Sequence, residues 1–110
     1  MSVSFSGNTL TISGVDHTLE YPILDARQVD GLTVVLFRPE AFRGGGQFRN
    51  LVGLDGHGDE CWKAELPTNM GMDAYVQIVS EAPLTVDSYC SYRCEIDVTT
   101  GKVTTKEFFK

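Results

Sequence analysis

The densest run of potential ligands in this sequence is Asp55, His57, Asp59 and Cys61, alternate residues of the stretch LDGHGDEC. Carboxylates, imidazoles and thiolates hold zinc or calcium only when they converge within about 2.0–2.6 Å of one point, and alternate residues leaving a turn diverge. The run therefore reads as a polar hairpin loop, and no metal is expected. Cys90 and Cys94 have the spacing of zinc ligands on a helix, but their segment reads as strand, where four residues span about 13 Å. Cys94 shares a face with Tyr92 and Ile96 and reads as a small core residue. No basic residue or helix terminus is evident to lower a thiol pKa and make a nucleophile. His17 and His57, the two histidines, fall in expected loops, and no serine stands in a G-x-S-x-G elbow. Nothing singles out a dyad such as His57 with Cys90. Acids such as Asp55 and Asp59-Glu60 read as solvated charges, because glycosidase chemistry needs two carboxyls facing a cleft. No catalytic residue and no cofactor is assigned.

One stretch is unusual for an acidic chain. Arg38-Pro39-Glu40-Ala41-Phe42-Arg43-Gly44-Gly45-Gly46-Gln47-Phe48-Arg49-Asn50 gathers three arginines around three glycines. Glycines can present backbone N–H groups to an anion, although the Walker pattern with its Lys and Ser or Thr is absent. Arg38, Arg43, Gly44, Gly45, Gly46 and Arg49 are the candidate residues for binding an acidic group or a partner, on a loop joining two strands.

The elements that carry these residues are strands. No stretch of ten or more residues sustains a period near 3.6, whereas short alternating runs broken by Gly, Asn, Asp and Pro recur. Strands are expected near 3–6, 9–13, 18–23, 32–38, 48–54, 60–66, 74–80, 83–88, 92–97 and 102–109. One helical turn is expected around Pro39 to Phe42. In 60–66, Trp62, Ala64 and Leu66 oppose Cys61, Lys63 and Glu65; in 92–97, Tyr92, Cys94 and Ile96 oppose Arg93, Glu95 and Asp97. Each strand is thus expected to have one wet face, as antiparallel sheets commonly do. Asp55-Gly56-His57-Gly58 and Asp97-Val98-Thr99-Thr100-Gly101 read as hairpin loops, in which Asp accepts from the turn backbone and Gly supplies a positive φ at the exit. The fold class is all-β, an antiparallel meander of about 8–10 strands arranged as a sandwich, an open barrel or stacked blade-like sheets.

Composition excludes several functional classes. The 110 residues point to one domain spanning 1–110, with 42% hydrophobic and 22% charged residues, ordinary for a globular chain. A net charge of −6, with nine Lys and Arg against fifteen acids, leaves little to neutralise phosphates, so no nucleic-acid partner is expected. The N-terminal MSVSFSGNTLTISG lacks a basic region and an apolar run, and no segment approaches the roughly 18 apolar residues of a membrane span. Three cysteines, an odd number, fit a reducing compartment, and the expected location is cytoplasmic.

The two hairpins superpose in sequence. Leu54-Asp55 matches Ile96-Asp97 at an offset of 42 residues, and a weaker echo lies around Asp16 in LTISGVDHTLEYPI. NLVGLDGHGDECWKAELP, with its x-L-D-x-x-G-x-x-x-W core, resembles the blade repeat of quinoprotein-type β-propellers, and YRCEIDVTTGKVTTKEF resembles a second copy. The arrangement is also similar to small bacterial proteins of unassigned function that end in such a hairpin. Thr105 stands where the second copy's Trp belongs, and two to two and a half blades cannot close a ring. The resemblance implies hairpin geometry and no quinone. Open edges and a missing neighbour imply a protein partner or a homodimer, with Phe108 and Phe109 as interface residues because the final strand carries aromatics on both faces. The expected function is a non-enzymatic protein-binding or assembly protein, of which an inhibitor or immunity-type protein is one form. The alternative is a small-molecule binder or hydrolase near Gly44–Gly46, marked by a concave apolar pocket beside Arg43 and Arg49.

Overall fold

Turn residues cut the chain into short strands, and each meander pairs consecutive strands antiparallel, so that three sheets form in chain order. A computed structural model describes residues 2–42 and 44–109. The first sheet holds β1 (Val3–Ser6), β2 (Thr9–Ile12) and β3 (Val15–Thr18). The central sheet holds β4 (Ile23–Val29), β5 (Leu32–Phe37), β6 (Leu51–Leu54) and β7 (Glu60–Lys63). The third holds β8 (Tyr75–Glu81), β9 (Leu84–Ser88), β10 (Tyr92–Ile96) and β11 (Val103–Phe108). The fold is the expected all-β meander, and its sheets stack without closing into a barrel. Among the described residues no helix is long and apolar enough to cross a membrane.

Two expectations need correction. The strand placed at 18–23 is in fact β3 and β4, with residues 19–22 as their connection. Charged Asp25 and Arg27 mask β4 in the sequence, yet they pair with each other at 3.1 Å on a strand that is otherwise largely covered. The second correction concerns the wet face. In β5, Val34 and Leu36 pack toward the third sheet, while Val35 and Phe37 pack toward the first. In β6, Leu51 faces the third sheet while Val52 and Leu54 face the first. The central sheet is therefore buried on both faces, which is why LTVVLF and LVGL are continuous apolar runs rather than alternating ones.

The two matched hairpins have the same geometry. The Asp55 carboxylate accepts the His57 N–H at 2.8 Å, and the Asp97 carboxylate accepts the Thr99 N–H at 2.8 Å. Gly58 and Gly101 close the turns at φ +83° and +78°. Both glycines also serve as docking points for the preceding sheet. A Cβ on Gly58 would lie 2.5 Å from His17 Nδ1, and one on Gly101 would lie 2.8 Å from Trp62 Cε3. Trp62 fits between Gly53 and Gly101, and its Nε1–H donates to the Val98 carbonyl at 2.8 Å. An aromatic ring on the last strand of one sheet thus lies on the hairpin glycine of the next.

The stack ends on polar faces. The side of the first sheet away from the core carries Ser4, Ser6, Thr9, Thr11, Asp16 and Thr18, opposite in strand parity to buried Leu10 and Ile12. The outer side of the third sheet carries Asp87, which accepts Arg93 Nε at 2.8 Å and Gln77 Nε2 at 2.6 Å. Phe109 lies 5.6 Å from the Arg93 guanidinium carbon, whereas Phe108 meets Tyr92 edge to face at 5.5 Å. The final strand does place aromatics on both faces. The outer one covers a guanidinium within a polar surface instead of continuing an apolar sheet that lacks a neighbour.

Candidate functional site

The loop between β5 and β6 is anchored at both ends before anything else in it can be positioned. Arg38 N–H donates to the Pro22 carbonyl at 2.9 Å, and one 3-10 turn, Pro39–Ala41, follows. At the far end buried Asn50 donates from Nδ2 to the carbonyls of Phe37 (2.9 Å) and Tyr75 (2.8 Å), while its Oδ1 accepts the Tyr75 N–H at 2.8 Å. One amide therefore joins β5, the loop and β8, and satisfies three backbone groups that burial would otherwise leave unpaired. Between the anchors, Phe42 stacks on Phe48 at 4.9 Å, and Tyr21 meets Phe48 edge-on at 4.8 Å.

Three contiguous depressions lie around this loop, two of them against the aromatic stack. The first, of about 460 Å³, has an apolar floor of Tyr21, Phe37, Phe42 and Phe48, with Glu20, Glu60, Arg49 and Lys63 in its walls. The second, of about 520 Å³, lies on the other side of Phe42 and Phe48 and is bounded by Gly45, Gly46, Met72 and Tyr89. Met72 and Tyr89 are 65% and 62% exposed. The third, of about 340 Å³, runs along the seam of the central and third sheets past Arg49, Lys63, Thr100 and Lys102.

Buried Asp73 fixes the segment that presents Met72. Its Oδ2 accepts the Thr68 hydroxyl at 2.7 Å, and its Oδ1 accepts the N–H of Ala74 at 3.0 Å and of Cys90 at 3.3 Å. Burial, and then the Asp73 charge, push the Cys90 thiol up from its ordinary value. Burial also pushes the Cys94 thiol up to about 11. Both remain protonated at neutral pH.

The candidates from the sequence are distributed as follows. Arg38 is exposed beside the 3-10 turn. Arg43 lies outside the described residues. Gly44, Gly45 and Gly46 are exposed, the last two at φ +69° and +86°, and these two border the apolar depression, away from Arg49. Arg49 donates from Nε to the Ala64 carbonyl (3.1 Å) and from Nη2 to the Lys63 carbonyl (2.6 Å). Phe108 and Phe109 are 57% and 48% exposed at the edge of the third sheet. The Asp55 carboxylate is turned onto its own loop, where the Asp59 and His57 N–H groups hold its pKa below the ordinary value. Among the described residues, no three His, Cys, Asp or Glu side chains form a metal-sized group. Sequence reasoning missed Tyr21, Lys63, Met72, Tyr89 and Lys102, which come from five separate connections or strands. The MGMD segment, apolar residues in a turn, is the one local signal that could have marked the rim.

A family model described as Domain of unknown function (DUF7957) matches residues 1–108. No curated protein and no solved structure matches the chain.

Proposed function

We propose that the chain, which belongs to this family, is a non-enzymatic binding protein that holds a partner protein on the face built around residues 38–49. The observation that carries this reading is the exposed apolar rim of Met72 and Tyr89 beside the stacked Phe42 and Phe48. Flexible thioethers and amphipathic aromatics are the side chains that partner-binding surfaces use most readily. The high pKa of Cys90 and Cys94 also argues against thiolate chemistry. A net charge of −6 favours a basic partner, as an inhibitor or immunity-type protein would require. Free Cys61, Cys90 and Cys94 fit a reducing, cytoplasmic setting.

The test compares wild type with Met72→Glu/Tyr89→Glu in capture from the native host, followed by light scattering of the purified complex. A partner retained by wild type, lost by the variant and reconstituted at fixed stoichiometry is the expected result. A dimer dissolved by the same variant makes the partner a second copy. One dissolved only by Phe109→Glu moves the interface to the third sheet's edge. A monomeric protein whose captured set is unchanged by the variant overturns the reading.

A second reading, a small-molecule binder, is favoured by one observation. The depression of about 460 Å³ is concave, aromatic and adjacent to Arg49, within the usual 300–1,000 Å³ of ligand pockets. Binding of a small ligand that Phe42→Ala abolishes without loss of fold would give this reading priority.

A further inference from the structure

The seam cleft of about 340 Å³ has an electrostatic character opposite to that of the whole chain. Arg49, Lys63 and Lys102 line it against a single carboxylate, Glu65, in a protein of net charge −6. Glu65 is engaged, because its Oε1 accepts the Val103 N–H at 3.0 Å. Among the described residues the ion pairs involve Arg27 and Arg93, and none involves the three cations of the cleft. Three cations against one carboxylate leave the cleft net positive, an imbalance that a bound anion would offset.

The donors are also set for an oxyanion. Two backbone carbonyls fix the Arg49 guanidinium through Nε and Nη2, which leaves Nη1 outside those bonds. Thr100 Oγ1 accepts the Lys102 N–H at 3.2 Å, so its own proton is available to donate. Gln47 donates to the Thr68 carbonyl at 2.6 Å and closes one wall. A pre-fixed guanidinium, two lysine ammonium groups and a hydroxyl match several oxygens bearing more than one charge.

We propose that this cleft binds a phosphate-type oxyanion, independently of what occupies the apolar depressions. The overall negative charge does not prevent this, since fields beyond about 8–10 Å are screened at physiological salt.

Pyrophosphate, titrated into the full chain at constant ionic strength and followed by amide NMR shifts, tests the proposal. Saturable shifts are expected at Thr100, Gly101 and Lys102. Lys102→Gln should weaken the affinity about tenfold, the worth of one charged hydrogen bond. Lys106→Gln removes an equal charge next door, where Lys106 donates to the Pro67 carbonyl at 2.8 Å. It should change the affinity by less than about twofold, since Lys106 does not line the cleft and an exposed charge without direct contact contributes little. Absence of saturable shifts, or equal losses in the two variants, would overturn the proposal.

Discussion

Substituting Gly101 by alanine tests the docking of one sheet on the next, and its cost has two separable parts. At φ +78° the new Cβ meets the left-handed penalty of about 1–2 kcal/mol whatever surrounds it. It would also lie 2.8 Å from Trp62 Cε3, 2.9 Å from Cδ2 and 3.0 Å from Cγ, against the middle of a ring already backed by Gly53. The indole has nowhere to retreat, so overpacking adds about 1–3 kcal/mol. Gly101→Ala should therefore destabilise the chain by about 2–5 kcal/mol. Trp62→Ala alone should cost about 3–5 kcal/mol. In the Trp62→Ala background the ring is gone, and Gly101→Ala should cost only its conformational part. The coupling between the two sites is then about 1–3 kcal/mol. Urea unfolding followed by far-UV circular dichroism measures all four corners, a necessary choice of probe because Trp62 is the sole tryptophan. If Trp62→Ala lowers stability too far for a full transition, Trp62→Leu supplies the background. Equal costs of Gly101→Ala with and without the indole would refute the docking.

Other perturbations test other parts of the frame. Asn50→Ala strands the Phe37 and Tyr75 carbonyls and the Tyr75 N–H; at about 1–3 kcal/mol for an unsatisfied buried group, a loss of at least about 3 kcal/mol is expected in the same unfolding assay. Asp87 titrates below its ordinary 3.8, chiefly because Arg93 hydrogen-bonds its carboxylate, with Gln77 assisting. A folded pKa below the unfolded one gives stability that is complete above about pH 3.8 and is lost as pH falls through the lower folded value. Acid unfolding of Asp87→Asn should therefore be less steep there, and an unchanged profile would remove Asp87 from the account. Alkylation followed by mass spectrometry should modify exposed Cys61 first and buried Cys94 only on unfolding, with three labels in all on the denatured chain; simultaneous labelling in the native state would contradict the packing.

The strand content and both Asp-to-Gly hairpins were legible because their causes are local. A carboxylate accepting a backbone N–H two residues on, and a glycine at positive φ, need no knowledge of the rest of the chain. β4 was hidden because the reason it tolerates Asp25 and Arg27 is not local: Arg27 also donates to the Ile78 carbonyl at 3.3 Å in another sheet. The Asp30-Gly31 pair before LTVVLF was the available signal for this hairpin, with φ values of +50° and +81° in the structure. The doubly buried central sheet was also beyond local reading, since a run such as LTVVLF fits a two-sided strand only once both neighbours are known. Composition singled out the loop between β5 and β6, but the residues that surround it were beyond local reading. The cleft cations come from residues 49, 63 and 102, and a separation of 53 residues is bridged by the docking of Trp62 on the Gly101 hairpin and by the Glu65 N–H donating to the Gly101 carbonyl at 2.8 Å.

The same latch bears on how the chain avoids growing. A head-to-tail contact that repeats itself without closing generates fibres, and here His17 on Gly58 and Trp62 on Gly101 are two turns of one repeating contact. A third turn would need an aromatic ring at Thr105 and an apolar face beneath it. That face instead carries the Asp87 carboxylate bound to Arg93. Asp87 is already buried, so another copy would newly desolvate the half-exposed Arg93 guanidinium, at a cost of several kcal/mol. The charges on the outer face thus act as a chain terminator, and the variant most prone to polymerise is one that replaces Asp87 and Arg93 with apolar residues while restoring the ring at Thr105.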